Sequence, residues 1–308
     1  MKKLLSFLCL GLLTFGFFLG SLCTNHLSIA NAAPNGQIKG RQSPTASPFQ
    51  EITQSTDKSH EAIKQDTSLP KMSIVIDDFG SFDQSGVESL LNCPAKLTCA
   101  VMPNVDNTAS NIETIKAKGH EIILHMPMQS HVTLPESWYG PVYIANYDSP
   151  ESAEKKLDDC MKGFNGVRGL NIHIGSGVSR NRKLMSVIYD YAKKHNLYFL
   201  DSRTIETDAT TQACKDTNSI YLGRDVFLEA DKNRSYAGVK FRLLEGAKIA
   251  LEKGRSIVIG HVGAEGGENT AKAIIDTVSE IEKMGVKIVP LSEIYDDMQA
   301  QGIMSNME

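Results

Sequence analysis

Residues 72–81 read "MSIVIDDFGS". The segment 73–76 is a short run with the character of a buried strand, and it ends on two adjacent aspartates, Asp77 and Asp78, followed by Phe79 and Gly80. Two carboxylates side by side at the end of an apolar strand repel each other and raise each other's pKa unless something positive accompanies them. The candidates are a metal ion, an Arg or Lys, or plain solvent, and the rest of the chain has to choose among them.

Outward from this strand, further short apolar runs occur at 97–102, 121–125, 167–172, 197–200, 256–260 and 286–289. They are continuous rather than alternating, as expected of strands covered on both faces. Helix-period segments lie between them, at 107–118, 151–164, 182–195, 236–253 and 269–283. The second has a strong start signal, with Ser149 as N-cap, Pro150 at the first helical position and Glu151 in the first turn. Gly119, Gly254 and Gly285 mark helix ends. Strand–helix alternation of this kind means an α/β fold on a parallel sheet, and about seven such units predict a barrel or a distorted one.

In such folds the site lies at the carboxyl ends of the strands. There the chain places Asp77, Asp78, His125, His173, Asp201 (with Arg203 just after) and His261. This donor set suits metal-assisted hydrolysis. A zinc-like divalent ion takes imidazole nitrogens and a carboxylate and keeps a position open for water. A second carboxylate serves as base and a histidine as acid. The paired aspartates then divide the work, one on the cation and one on the proton. Other rim positions keep two readings. Asp201 either orients a metal-binding histidine or pairs with Arg203. Arg224 and Asp225 are either functional or a simple ion pair. Ser176, between Gly175 and Gly177, either helps present backbone N–H groups to an oxyanion or sits in a turn needing positive φ. Gly260 and Gly263 around His261 leave room for a ligand. Trp138 and Tyr139, on a long connection, either stack on the flat face of a ligand or cover the barrel mouth. His120, at the opposite end of its strand from the rim, reads as structural.

"IVIDDFG", "GHEIILHMPM", "GLNIHIGS", "YFLDSRT", "RDVFL" and "IVIGHV", in this order, resemble the divergent polysaccharide deacetylases, relatives of the NodB-type carbohydrate esterases. The resemblance implies a deformed (β/α) barrel of about seven parallel strands with a divalent metal, zinc foremost, at the strand ends. It implies that Asp77 is the base, that Asp78, His125 and His173 hold the metal, and that His261 assists the leaving group. The chain departs from the NodB-type pattern at Gln129, where those enzymes carry a second metal histidine, and at Ile172, where the divergent family commonly has Asn. The expected activity is removal of acetyl from an N-acetylated envelope glycan. The alternative is a glycan-binding or scaffold protein that keeps the fold and the metal. A phosphoesterase is disfavoured because no Arg/Lys anion clamp stands out beside the motifs.

The 308-residue chain has a formal net charge of -4 and no basic cluster with interleaved aromatics, which argues against nucleic acid as partner. Its first 33 residues open with Lys2 and Lys3, continue in a long uncharged apolar run and end near Ala30-Asn31-Ala32. This is a secretory signal, either cleaved or kept as a single-span anchor tethering the protein to the membrane. The protein is therefore expected outside the cytoplasmic membrane, as a periplasmic, extracellular or outward-facing anchored protein. Residues 34–70, rich in Ser, Thr, Gln and Pro, read as a flexible linker, and 71–308 as the catalytic domain. Cys93 and Cys99 are either a disulfide pair, which export permits, or small buried thiols.

Overall fold

The computed structural model describes residues 69–230 and 234–303. The expected signal or anchor, and the expected linker up to residue 68, lie outside the described residues. Nine strands are present: β1 (Lys71–Phe79), β2 (Thr98–Val101), β3 (Glu121–Met128), β4 (Gly169–Ile174), β5 (Tyr198–Asp201), β6 (Leu222–Gly223), β7 (Val226–Phe227), β8 (Arg255–His261) and β9 (Lys287–Ile288). The helices between and after them are α1 (Val87–Leu91), α2 (Thr108–Lys118), α3 (Pro150–Met161), α4 (Arg182–Lys194), α5 (Ala209–Asp216), α6 (Tyr236–Lys253), α7 (Gly267–Lys283) and α8 (Leu291–Ala300).

All strand pairs are parallel, in the order β6-β5-β4-β3-β2-β1-β8-β7, with β9 against the first two residues of β1. Among the described residues β6 and β7 do not pair with each other. The sheet therefore curls into a deformed barrel with one open seam, crossed by the two-residue connection 224–225. The seven expected strands are all present. The two further strands, β6 and β7, are two residues each and too short to leave a clear periodic trace, although a strand before Arg224 was expected.

Alternation along the strands sorts the core into two layers. Ile74, Ile76, Cys99, Val101, Ile122, Leu124, Leu170 and Val258 face the helices. Val75, Ala100, Ile123, Leu200, Ile257 and Ile259 face inward, and α8 closes that end of the barrel with Leu291, Ile294 and Met298. α8 is held there by Lys71, which pairs with Glu293 and Asp297, and by Thr98 Oγ1, which accepts a hydrogen bond from Leu291 N at 2.9 Å. The start signal of α3 works as expected, with Ser149 Oγ accepting from Ser152 N. The four cysteines of the described residues, Cys93 and Cys99 among them, are free and buried.

Candidate metal centre

Continue the inward series one step toward the carboxyl ends and the residues turn polar: Val75 is followed by Asp77, Ile123 by His125, Gly169 by Asn171 and His173, Ile259 by His261. Asp78 is out of step and by alternation belongs on the helix side. A register shift against β2 between Ile76 and Phe79, with Asp78 at φ 70, turns it inward. A left-handed Asp carries a conformational cost, and such strain collects at functional sites. Ile174 (φ 61) and Arg203 (φ 48) are strained in the same way at the ends of β4 and β5. The bulge is why two adjacent aspartates serve one cleft.

Asp78 Oδ1, His125 Nε2 and His173 Nδ1 form a closed triangle with sides of 3.2, 3.1 and 3.1 Å. The far nitrogens of both rings face acceptors. His125 Nδ1 donates to Asn171 Oδ1 at 2.7 Å, and His173 Nε2 donates to the Trp138 carbonyl at 3.0 Å. This fixes both tautomers and leaves the facing nitrogens as lone pairs, as outer partners of metal-binding histidines do. Asp78 Oδ1 is buried and has no well-formed hydrogen bond. Three lone pairs pointed at one another fit a cation. Ligands at ~2.05 Å from a tetrahedral zinc stand about 3.3 Å apart, close to the sides seen here. Without a cation, protons would take its place between these groups. Burial works against charge on both groups, yet the two imidazoles hold Asp78 well below the usual carboxylate range, while Asp77 and Asp78 raise His125.

Beside the triangle, Asn171 bridges the two aspartate functions. Its Nδ2 donates to Asp77 Oδ1 at 2.7 Å, and only this amide orientation suits both neighbours, because a carboxylate accepts and His125 Nδ1 donates. Asp77 Oδ2 lies 4.0 Å from His261 Nε2. His261 Nδ1 donates to Glu229 Oε2 at 3.1 Å, while Glu229 Oε1 accepts from His261 N and Thr270 Oγ1. Burial opposes charge on His261, but Glu229, with Asp78 and Asp77 nearby, raises its pKa to about 9. Asp77, Asp78, His125, His173 and His261 line a cleft of about 1040 Å³, with the half-exposed Trp138 and the exposed Phe82 at its mouth.

Asp77, Asp78, His125, His173 and His261 are thus brought together, and Arg203 and Arg224 line the same cleft. The other rim residues lie elsewhere, several of them apart from both readings the sequence allowed. Asp201 touches neither metal-site histidine. It has the outward parity of Phe199, and it accepts from Arg203 N and Tyr221 OH, so it makes no side-chain pair with Arg203 either. Asp225 is bonded to Ile257 N rather than to Arg224. Ser176 bonds Ser130 and His131, and the N–H groups of Gly175 and Gly177 are bound to Met128 and Gln129 carbonyls, so no oxyanion donor comes from them. Gln129 leaves the cleft and accepts from Asn146 N. Tyr139 is buried against Tyr143, so only Trp138 of that pair faces the cleft. His120 is structural as expected, bonded to Leu97 N and the Leu91 carbonyl.

Sequence reasoning missed Asn171 and Glu229. Asn171 was legible as a polar residue two before His173, on the same face. Glu229 was hidden because it follows the two-residue β7. The glycines around His261 were its trace: a Cβ on Gly260 or Gly266 would meet Glu229 Oε1 at 3.1 or 2.7 Å. The room they leave is taken by this carboxylate, and Gly263 is packed on the Asp83 backbone.

Comparison with known proteins agrees with this fold. The uncharacterized protein YibQ of Escherichia coli (strain K12) is 28% identical over 193 residues, covering 62% of this chain and 58% of its own length. An uncharacterized protein of Haemophilus influenzae (strain ATCC 51907 / DSM 11121 / KW20 / Rd) is 28% identical over 194 residues, covering 62% of this chain and 66% of its own. The chain therefore spans less than two thirds of either relative. Among solved structures, the uncharacterized protein ATU2773 of Agrobacterium tumefaciens C58 shares the fold, with TM-score 0.66 and 18% identity over 73% of this chain and 89% of that one. Residues 74–295 match the divergent polysaccharide deacetylase model, and the chain belongs to that family.

Proposed function

We propose that this protein is an exported, metal-dependent hydrolase that removes acetyl groups from an N-acetylated envelope glycan. The observation that carries this reading is the triangle of Asp78, His125 and His173, with both histidine tautomers set so that lone pairs converge. Family membership supports the substrate class. A divalent ion held there, with zinc favoured by two nitrogens and one carboxylate oxygen, would polarise an acyl oxygen and acidify a water.

The other roles belong to the chain itself. Asn171 occupies Asp77 Oδ1, so Oδ2 is the oxygen left to take a proton from the attacking water. His261, charged at neutral pH and oriented through Nδ1 by Glu229, gives its Nε2 proton to the departing nitrogen. Trp138 offers a ring face at the cleft mouth for the sugar.

The test combines metal analysis with acetate release from N- and O-acetylated sugar oligomers. About one divalent ion per chain is expected, lost in Asp78→Ala, His125→Ala and His173→Ala. Asp77→Asn should keep the ion and the fold and lose about 10²-fold or more in turnover, the usual share of a general base. A metal-free protein with its fold intact removes the reading. Wild type that binds metal and glycan but releases no acetate leaves the glycan-binding alternative.

A further inference from the structure

The open seam of the barrel holds an arrangement that the hydrolytic chemistry does not use. Arg203 and Arg224 lie side by side on the cleft wall, and each donates to the other's backbone carbonyl: Arg203 Nη1 to Arg224 O at 3.0 Å, Arg224 Nη2 to Arg203 O at 2.9 Å. Arg224 Nε adds a bond to Ser202 O at 2.7 Å, and Arg203 Nε one to Tyr221 OH at 3.2 Å. Both guanidinium groups are thus fixed in place by neutral acceptors. Among the described residues neither forms an ion pair with a carboxylate, and Arg203 Nη2 and Arg224 Nη1 make no hydrogen bond. The adjacent carboxylates are turned elsewhere, Asp201 to Arg203 N and Tyr221 OH, Asp225 to Ile257 N. Two like charges held together cost free energy unless a counter-charge joins them. Burial and then Arg203 depress the pKa of Arg224, while Tyr221, Asp225 and Asp201 raise that of Arg203 against its burial, so the uncompensated charge of the pair lies at Arg224.

We propose that Arg203 and Arg224 form a subsite for an anionic substituent of the glycan, a carboxylate or a phosphate. A planar guanidinium with free N–H groups suits either anion. The subsite lies on the leaving-group side of the cleft: Arg224 stands over the Phe227 ring at 5.1 Å, and the same ring meets His261 edge-on at 5.3 Å. The acidic group therefore belongs to the sugar that keeps the amine or to its neighbour on that side. The chain's net charge of -4 means that an anion is drawn by this local pair and not by the protein as a whole. This inference rests on the deacetylase reading and narrows its substrate to acidic glycans.

Calorimetry on metal-loaded Asp77→Asn protein, whose turnover is cut by about 10²-fold or more, tests it with three probes. These are a tetrasaccharide alternating N-acetylated amino sugar with uronic acid, its carboxyl-reduced neutral counterpart, and a phosphorylated chitin tetrasaccharide. At least one acidic probe should bind about tenfold more tightly than the neutral one, the scale of one charge-assisted contact. The stronger of the two identifies the anion. The preference should shrink as salt rises. It should be lost on adding Arg224→Gln and reduced on adding Arg203→Gln, with neutral binding changed by less than about twofold. Equal binding of all three probes, binding of none, or a preference that survives both arginine changes overturns the subsite. The comparison of probes on one protein stands even where Arg224→Gln does not fold. Anion preference without acetate release from any glycan by wild type keeps the subsite and removes the hydrolase. Acetate release without anion preference does the reverse.

Discussion

At the scale of single residues, the site is governed by which nitrogen or oxygen is already occupied. Asn171 takes one oxygen of Asp77 and one nitrogen of His125, and so assigns their remaining atoms. Glu229 does the same for His261 and also sets its charge. A folded pKa of about 9 against an ordinary 6.5 means that the charged ring adds stability below pH 6.5, and that this is lost as pH rises through 9. The acid needed by the leaving group disappears over the same range. A cation beside Asp78 weakens the field that raises His261, so the alkaline limb of kcat/KM for the loaded enzyme should lie at or below pH 9. Glu229→Gln removes the carboxylate and should move that limb to lower pH, with metal content unchanged. An unmoved limb would show that Glu229 does not set the acid. Asp77, Asp78, His125, His173 and His261 could be read from the sequence as one candidate set because each follows an apolar run, while the role of each came from the family resemblance. Their orienting partners were harder to read, because Asn and Glu take that role only through contacts across 46 and 32 positions of chain.

At the scale of elements, strand parity decides what reaches the cleft. Asp201 and His125 both end apolar strands, but Asp201 has the parity of the helix-facing side and bonds Tyr221 there. Asp78 breaks parity through a bulge, which no composition or spacing announces. The lower barrel follows the same rule. Tyr198 fills the interior under the site and donates to Glu121 Oε1 at 2.7 Å. Gly169 on the neighbouring strand makes room for it, since a Cβ there would lie 2.4 Å from the Tyr198 ring. Gly169→Ala should therefore lower unfolding free energy by about 1–3 kcal/mol, the range for overpacking a filled core, as read by denaturant titration. A change within about 0.5 kcal/mol, the range of ordinary surface substitutions, would mean that the barrel floor has slack.

For the whole molecule, the parallel order around β1 gathers residues from across the chain, Asp77 to His261, onto one rim, and the open seam between β6 and β7 adds the arginine pair. A barrel could be read from the sequence because strand–helix alternation is periodic. The seam could not, because it is built from two-residue strands, and so Arg203 and Arg224 were legible as single candidates but not as a pair. The compartment is argued from the first 70 residues. Lys2 and Lys3 before a long apolar run, then Ala30-Asn31-Ala32, support the proposed export. N-terminal sequencing of protein from fractionated cells decides the form: a start near Ala33 means a cleaved signal, and an intact Met1 in the membrane fraction means an anchor. Full-length protein found soluble in the cytoplasm would overturn export and, with it, an envelope glycan as the substrate.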